Sequence, residues 1–264
     1  EIDTLMTPLD SIKYYKHFLR CGFMSMDVRT GQVKAYVGGM DYGHFAYDMV
    51  GLGRRQVGST IKPYLYSLAM EDGFTPCSEV LNEQRTYGNW TPRNSGTARV
   101  GQVVTLQWGL QQSNNWISAY LMDHVTPPRF ADMLKRYGVR SNMIEPYMPL
   151  CLGTCDIKVS EMVSAYSTFA NHGIRTVPMY VTRIVDGEGS VVADFQPQQV
   201  EVISEDSSYK MHYMLRSVID GGTGSRIRAR YKLTCDMGGK TGTTNNNSDC
   251  WFMGFTPSLV SGVW

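Results

Sequence analysis

Ser59 and Lys62 stand three residues apart in Gly58-Ser59-Thr60-Ile61-Lys62-Pro63, at the start of an apolar-periodic run. Ile61, Tyr64, Leu65, Leu68 and Ala69 recur with the spacing of a helix that buries one face. Residues three apart on a helix are neighbours, so the Lys62 amine is expected to reach the Ser59 hydroxyl. A serine hydroxyl is a weak nucleophile at neutral pH, and an amine kept neutral by burial and by other cations can take its proton. Unpaired N–H groups at the helix start would face an acyl oxyanion. Pro63 falls near the end of the first turn, where its missing N–H costs little. Taken alone, the Ser-x-x-Lys spacing fits a capping serine and a surface lysine better than a catalytic pair.

Two further stretches reverse that balance. Ser113-Asn114-Asn115 lies between two apolar-periodic segments, and Lys240-Thr241-Gly242-Thr243 opens a strand-like run. Ser-x-x-Lys, Ser-x-Asn and Lys-Thr-Gly in that order form the signature of penicillin-binding proteins and class A β-lactamases. For Ser113-Asn114-Asn115 the plain alternative is a helix cap, since Ser and Asn both serve as N-caps. Longer stretches narrow the likeness. Residues 54–63 resemble the nucleophile segment of class A penicillin-binding proteins. Residues 238–245 and 251–257 resemble their third and fourth sheet strands. Thr91-Pro92-Arg93-Asn94 and residues 165–173 are also similar to that family, and the likeness runs from about Phe23 to the last residue.

The resemblance implies the transpeptidase domain of a bifunctional class A penicillin-binding protein. It implies an α/β fold of the α+β type: a five-stranded antiparallel sheet flanked by helices, an all-helical lobe, and the site at their junction. Ser59 would attack the peptide bond between two D-alanines of a peptidoglycan stem peptide. Lys62 is the chosen base, an assignment disputed across the superfamily. Ser113 would relay the proton to the departing amine, and Lys240 would help keep Lys62 neutral. Asn115 would bind the substrate backbone. Thr241 and Thr243 would hold the terminal carboxylate, and Gly242 would let the peptide lie flat on the strand. The N–H groups of Ser59 and Thr243 would form the oxyanion hole. An amine from a second stem then completes the cross-link, β-lactams acylate Ser59, and no metal or cofactor is required. The parent chain would be membrane-anchored, carry a glycosyltransferase domain and face the extracytoplasmic, periplasmic side of a bacterial membrane.

The elements around these residues are legible in outline. Thr7-Pro8-Leu9-Asp10 starts a helix with an apolar stripe at Ile12, Tyr15, Phe18 and Leu19. Residues 23–28 and 32–37 read as a hairpin that buries Val33, Ala35 and Val37. Residues 40–58 form an irregular loop, where Arg54 and Arg55 are either solvated or a cationic rim for a carboxylate. A helix from Ser59 should end at Gly73. Residues 75–101 should run over the surface, with Tyr87 and Trp90 covering core or lining a groove. Helices are expected over 105–112, 116–125, 127–138 and 160–170, and a Ser204-capped one over 204–220. A second hairpin spans 181–195, and strands follow over 234–244, 249–255 and 259–264. The chain starts at Glu1 and stops in a strand-like run at Trp264, so both ends read as cut. The family pattern suggests that one more strand and a helix follow, leaving residues 259–264 at an open edge.

Composition excludes several classes. In 264 residues the net charge is +1, which argues against nucleic acid as the main partner. Histidines at 17, 44, 124, 172 and 212 show no metal-ligand spacing. No signal peptide or long apolar run is present. Six cysteines allow up to three disulfides in fifteen pairings, but Cys151 and Cys155 read better as small buried apolar groups. Three rivals share the motifs. A β-lactamase needs a deacylating carboxylate; Glu145 stands alone, and Asp123, the first acid after the Ser-Asn-Asn turn, falls late on its helix. A D,D-carboxypeptidase uses water in place of the amine. A β-lactam sensor stays acylated.

Overall fold

The computed structural model describes residues 3–140 and 144–264. Its centre is a five-stranded antiparallel sheet of β1 (Phe23–Asp27), β2 (Val33–Val37), β3 (Gly238–Thr243), β4 (Cys250–Phe255) and β5 (Leu259–Val263). Their spatial order is β3-β4-β5-β1-β2, so the two ends of the chain meet in one sheet. β5 is the central strand, with Val263 opposite both Phe23 and Phe252. The expected open edge at residues 259–264 is therefore wrong. All five strands that the resemblance implies are present, and the edges are β2 and β3.

One sheet face carries Met24, Met26, Trp251, Met253, Phe255 and Val260, all buried against α6 (Val159–Ala170) and α7 (Glu205–Gly221). Alternate residues of a strand share a face, so these apolar positions at every second residue place the core. Gly262 belongs to that face: a Cβ there would come within 2.8 Å of Val163 Cγ2 on α6. The alternation expected for β2 fails, because Val33 is only partly buried while Ala35 and Val37 are exposed. Alternation marks which side chains can share a face, and at an edge strand no layer covers that face. The first helix, α1 (Pro8–Lys16), forms as expected, with Thr7 Oγ1 accepting the Asp10 N–H. Its apolar stripe is nevertheless exposed at Ile12, Tyr15, Phe18 and Leu19, with Phe45 as the aromatic neighbour of Tyr15 and Phe18.

The helical lobe surrounds α2 (Lys62–Glu71), which is buried from Lys62 to Met70. Around it lie α3 (Leu106–Gln111), α4 (Asn115–Val125) and α5 (Pro127–Arg136). α2 does not begin at Ser59. Residues Gly58–Ile61 form a separate 3₁₀ turn, closed by Lys62 N–H to Ser59 C=O. Pro63 is the reason: in a continuous α-helix its ring would strike the carbonyl four residues back, which is that of Ser59. Three short ladders were not expected, one of them between Ile174–Thr176 and Gln199–Glu201. Arg55–Gln56 pairs with Asp156–Ile157, and Glu79–Leu81 pairs with Val103–Thr105. The helix expected after Ser204 forms as read: Ser204 caps α7, its Oγ accepting the Ser207 N–H.

Candidate active site

Three segments converge where the helical lobe meets β3. The 3₁₀ turn presents Ser59, half-buried, at the mouth of a cleft of about 230 Å³. This turn is wedged tightly. Gly58 and Gly153 both have left-handed backbones, and a Cβ on Gly153 would lie 2.0 Å from the Gly58 carbonyl oxygen. On the other side, a Cβ on Gly242 would come 2.7 Å from the Val57 carbonyl oxygen and 2.8 Å from Thr60 Cγ2. Gly242 thus lets the nucleophile turn close onto β3. The expectation that a side chain there would intrude on a bound peptide is replaced by this contact, since the Cβ direction is already filled by protein.

Lys62, one residue into the lobe, is fully buried. Its Nζ donates to the Ser113 carbonyl oxygen at 2.6 Å, to Asn115 Oδ1 at 2.7 Å and to Ser113 Oγ at 3.3 Å. Those three acceptors match the three N–H donors of the ammonium form, and Nζ makes no hydrogen bond to Ser59 Oγ among the described residues. The direct Ser59–Lys62 contact expected from the spacing is therefore not formed in this state, although the two residues share one face of the turn. Lys240, on β3, is likewise fully buried, and its Nζ donates to Ser113 Oγ at 2.9 Å and to the Thr241 carbonyl at 2.9 Å. Burial lowers the Lys62 pKa to about 7. Burial also drives the Lys240 pKa well down, and the nearby Lys62 charge pushes it further. One hydroxyl, Ser113 Oγ, thus bridges two amines whose charged forms the site disfavours.

The Ser-Asn-Asn turn divides its labour by residue. Asn114 is the cap of α4: its Oδ1 accepts the N–H groups of Trp116 and Ile117. Ser113 holds a left-handed backbone, with φ of 54°, and takes no part in the cap. Such a conformation is uncommon for a residue with a Cβ. The capping alternative therefore accounts for Asn114 and leaves the Ser113 hydroxyl to the lysines. Asn115 is gripped from the 75–101 segment: its N–H donates to Asn94 Oδ1 at 2.7 Å, and its Nδ2 donates to the Arg93 carbonyl at 2.7 Å. Fully buried Asn82 accepts from Asn114 Nδ2 at 2.9 Å. That segment is consequently more than a surface run.

On β3, Thr243 is exposed and Thr241 is half-buried. Thr241 Oγ1 shares a 2.7 Å hydrogen bond with Thr223 Oγ1. The helix expected over 204–220 gives Thr223 no role; the signal for this partner in the sequence is a hydroxyl among the glycines that follow that helix. Trp90 and Leu152 line the cleft on the side of Asn115, and Tyr87 and Trp90 also pack against the core. Arg54 is neither solvated nor a free rim: it pairs with Glu161 through both terminal nitrogens at 3.1 Å. Arg55 pairs with Asp249 at 2.8 Å. All six cysteines are free thiols, with Cys151 and Cys155 buried. Among the described residues no three His, Cys, Asp or Glu side chains cluster as a metal site requires, and no helix is long and apolar enough to cross a membrane.

This fold recurs in known proteins. The chain is 33% identical over 252 residues to penicillin-binding protein 1A of Aquifex aeolicus, with 93% of this chain and 34% of that protein covered. It is 32% identical to penicillin-binding protein 1A of Neisseria meningitidis, covering 93% of this chain and 32% of the relative. The chain thus spans about a third of the length of these relatives. The crystal structure of penicillin-binding protein 1A from Haemophilus influenzae superposes with a TM-score of 0.86 at 26% identity, covering 92% of this chain and 42% of that one. The D,D-transpeptidase domain of a peptidoglycan glycosyltransferase from Eggerthella lenta shares the fold, with a TM-score of 0.82 at 18% identity, covering 96% and 75% of the two chains. Residues 1–19 match the family model described as penicillin-binding protein middle domain. Residues 21–260 match the model described as penicillin binding protein transpeptidase domain, and the chain belongs to that family of acyltransferases.

Proposed function

We propose that this chain is a serine-type D,D-transpeptidase domain that cross-links peptidoglycan stem peptides and is acylated by β-lactams. The observation that carries the reading is the Ser113 hydroxyl held between two buried, pKa-depressed amines beside Ser59. An acyl-transfer site needs a nucleophile, a base, a proton relay and an oxyanion hole within reach of one carbonyl.

In the proposed reaction, neutral Lys62 takes the Ser59 hydroxyl proton as Oγ bonds to the carbonyl carbon of the penultimate D-alanine. Catalytic hydrogen bonds commonly tighten only when substrate is bound, which allows for the longer Ser59–Lys62 approach in the free chain. The N–H groups of Ser59 and Thr243 stabilise the oxyanion. The C–N bond then breaks, and Ser113 passes the proton taken up by Lys62 to the leaving D-alanine amine, while Lys240 Nζ orients the Ser113 hydroxyl by donating to its Oγ. Asn115 binds the donor backbone, and Thr241 and Thr243 hold the terminal carboxylate. In the second half-reaction an acceptor amine attacks the acyl carbonyl and loses a proton along the same route, and Ser59 departs with its own proton restored. None of the residues lining the cleft is Asp or Glu, which favours an amine acceptor over a base-activated water. The parent protein is proposed to be membrane-anchored, to carry a glycosyltransferase domain and to present this domain outside the cytoplasm.

The test is turnover of a D-Ala-D-Ala-terminated donor peptide with an added amine, together with labelled penicillin. Amide product and one adduct on the Ser59 peptide, lost in Ser59→Ala, are expected. Hydrolysis alone would make the domain a carboxypeptidase. A stable adduct without peptide turnover would make it a sensor, and an adduct surviving Ser59→Ala would reject the nucleophile.

A further inference from the structure

The acyl site is built from two backbone segments that are distant in the chain: residues 55–59, which carry the nucleophile, and residues 243–249, which follow Lys240. Something must hold them at a fixed separation, because an oxyanion hole with one N–H from each segment depends on it. Asp249 lies at the join. Its carboxylate is almost wholly buried, yet Oδ1 accepts from Arg55 Nε at 2.8 Å and from Trp264 Nε1 at 2.9 Å. The other oxygen, Oδ2, accepts from Thr244 Oγ1 at 3.0 Å, and Thr244 Oγ1 in turn accepts the Asp249 N–H at 2.9 Å. Arg55 stacks over the Trp264 ring at 4.8 Å, which fixes the guanidinium on the far side. One carboxylate therefore links a residue four before Ser59 to the residue directly after Thr243.

We infer that Asp249 is a positioning residue that sets the separation of the Ser59 and Thr243 backbones through Arg55 on one side and Thr244 on the other. The inference rests on the acyl-serine reading above. A buried carboxylate held by three directed donors, one of them a guanidinium, is a stiff connector. Gly58 shows how close the two segments run: a Cβ there would come 2.9 Å from the Thr243 carbonyl oxygen. A second tie, Trp251 Nε1 to the Gln56 carbonyl at 2.9 Å, joins the 55–59 segment to β4, two residues beyond Asp249, without using its carboxylate. The fold therefore keeps a link when the carboxylate is removed, while the spacing at the site loses its lock. A misplacement of about 1 Å in an acyl-transfer site is enough to slow it by up to about 10²-fold.

The experiment measures penicillin acylation by stopped flow in the parent chain, Asp249→Ala, Arg55→Gln, Thr244→Val and the Asp249→Ala/Arg55→Gln pair. Rates are normalised to the number of active sites found by burst titration. Each single variant should lower the first-order acylation constant, Asp249→Ala by about ten-fold or more, with the apparent dissociation constant of the encounter complex little changed. The paired variant should lose no more than Asp249→Ala alone, because both changes break one connection. A purely structural role would lower the active fraction and Tm but leave the normalised constant at the parental value, and that result overturns the inference. Additive losses in the paired variant overturn it as well. A parent chain that forms no Ser59 adduct would sink the acyl-serine reading and this inference together, whereas a normal parental adduct with unaffected Asp249 variants sinks only this one.

Discussion

At the scale of single residues, the candidate site places two lysines where a charged amine is costly. The folded Lys62 pKa of about 7 lies far below the ordinary lysine value near 10.4. The unfolded chain therefore binds more protons than the folded one between those values, and stability should rise with pH from about 7 to about 10. Lys62→Met, which buries an apolar chain of similar length, should raise the Tm at pH 7 and abolish acylation. The stability gain over the parent should shrink as pH approaches 10, and a pH-independent gain would mean that Lys62 is not held near neutrality. Acylation should climb through the same region as Lys62 loses its proton, with an apparent midpoint near 7 set by the coupled pair. A separate prediction splits the Ser-Asn-Asn turn. Ser113→Ala should slow acylation by roughly 10²-fold or more and leave the Tm alone, because Asn114 holds the cap. Asn114→Ala should instead lower stability by about 1 kcal/mol. Thermal melts and acylation kinetics on both variants decide whether the two roles are distinct.

At the scale of elements, Ser59, the proposed nucleophile, sits on a short turn that its neighbours force into shape. Pro63 ends the α-helix from below, Gly153 allows the 148–153 segment to touch Gly58, and Gly242 allows β3 to close from above. The glycines permit a controlled comparison. Gly73 and Gly153 both have positive φ, so an alanine at either carries a backbone cost of about 1 kcal/mol. Nothing lies within 4 Å of a Cβ at Gly73, whereas one at Gly153 meets the Gly58 carbonyl. Gly153→Ala should therefore displace the turn and cut acylation strongly, while Gly73→Ala should acylate normally with a modestly lower Tm. Equal acylation by both variants would show that the wedge does not position Ser59.

At the scale of the whole molecule, the sheet ties the ends of the chain together, and β5 sits at its middle. Removing residues 259–264 should split β4 from β1 and unfold the domain instead of trimming an edge. Loss of the cooperative melt in the shortened chain is the expected result, and a native-like melt would contradict the strand order. The placement of acids across the molecule also matters. Asp123 is exposed on α4, and the cleft beside Ser59 is lined without a carboxylate. Water in a penicilloyl-enzyme then lacks a general base, whose help is worth about 10²–10⁴-fold. Intact-protein mass spectrometry should show the adduct long after free drug is removed. Rapid return to the unmodified mass with many equivalents hydrolysed would reveal a deacylating base elsewhere.

The sequence by itself determined the parts of this protein that depend on local chemistry. Three short motifs in one order point to Ser59, Lys62, Ser113 and Lys240, and the fold joins Lys62, Ser113 and Lys240 by hydrogen bonds. The longer helices and the main-sheet strands were legible because apolar periodicity and capping residues act over a few positions, whereas the short helix Arg226–Tyr231 carries no such pattern. What only the tertiary structure decided depends on which layer meets which surface. Val33, Ala35 and Val37 alternate as a buried face should, yet β2 is an edge, and the α1 stripe is apolar but exposed. Residues 259–264 read as a strand, but its central position follows from pairing with β1 and β4, partners more than two hundred residues and a few residues away. The same holds for the partners of known residues: Arg55 with Asp249, Thr241 with Thr223, and Asn115 with Asn94. Each pair joins segments far apart in the chain, and a hydrogen bond between them leaves no local pattern, because its geometry exists only once the sheet and the helical lobe have closed on each other.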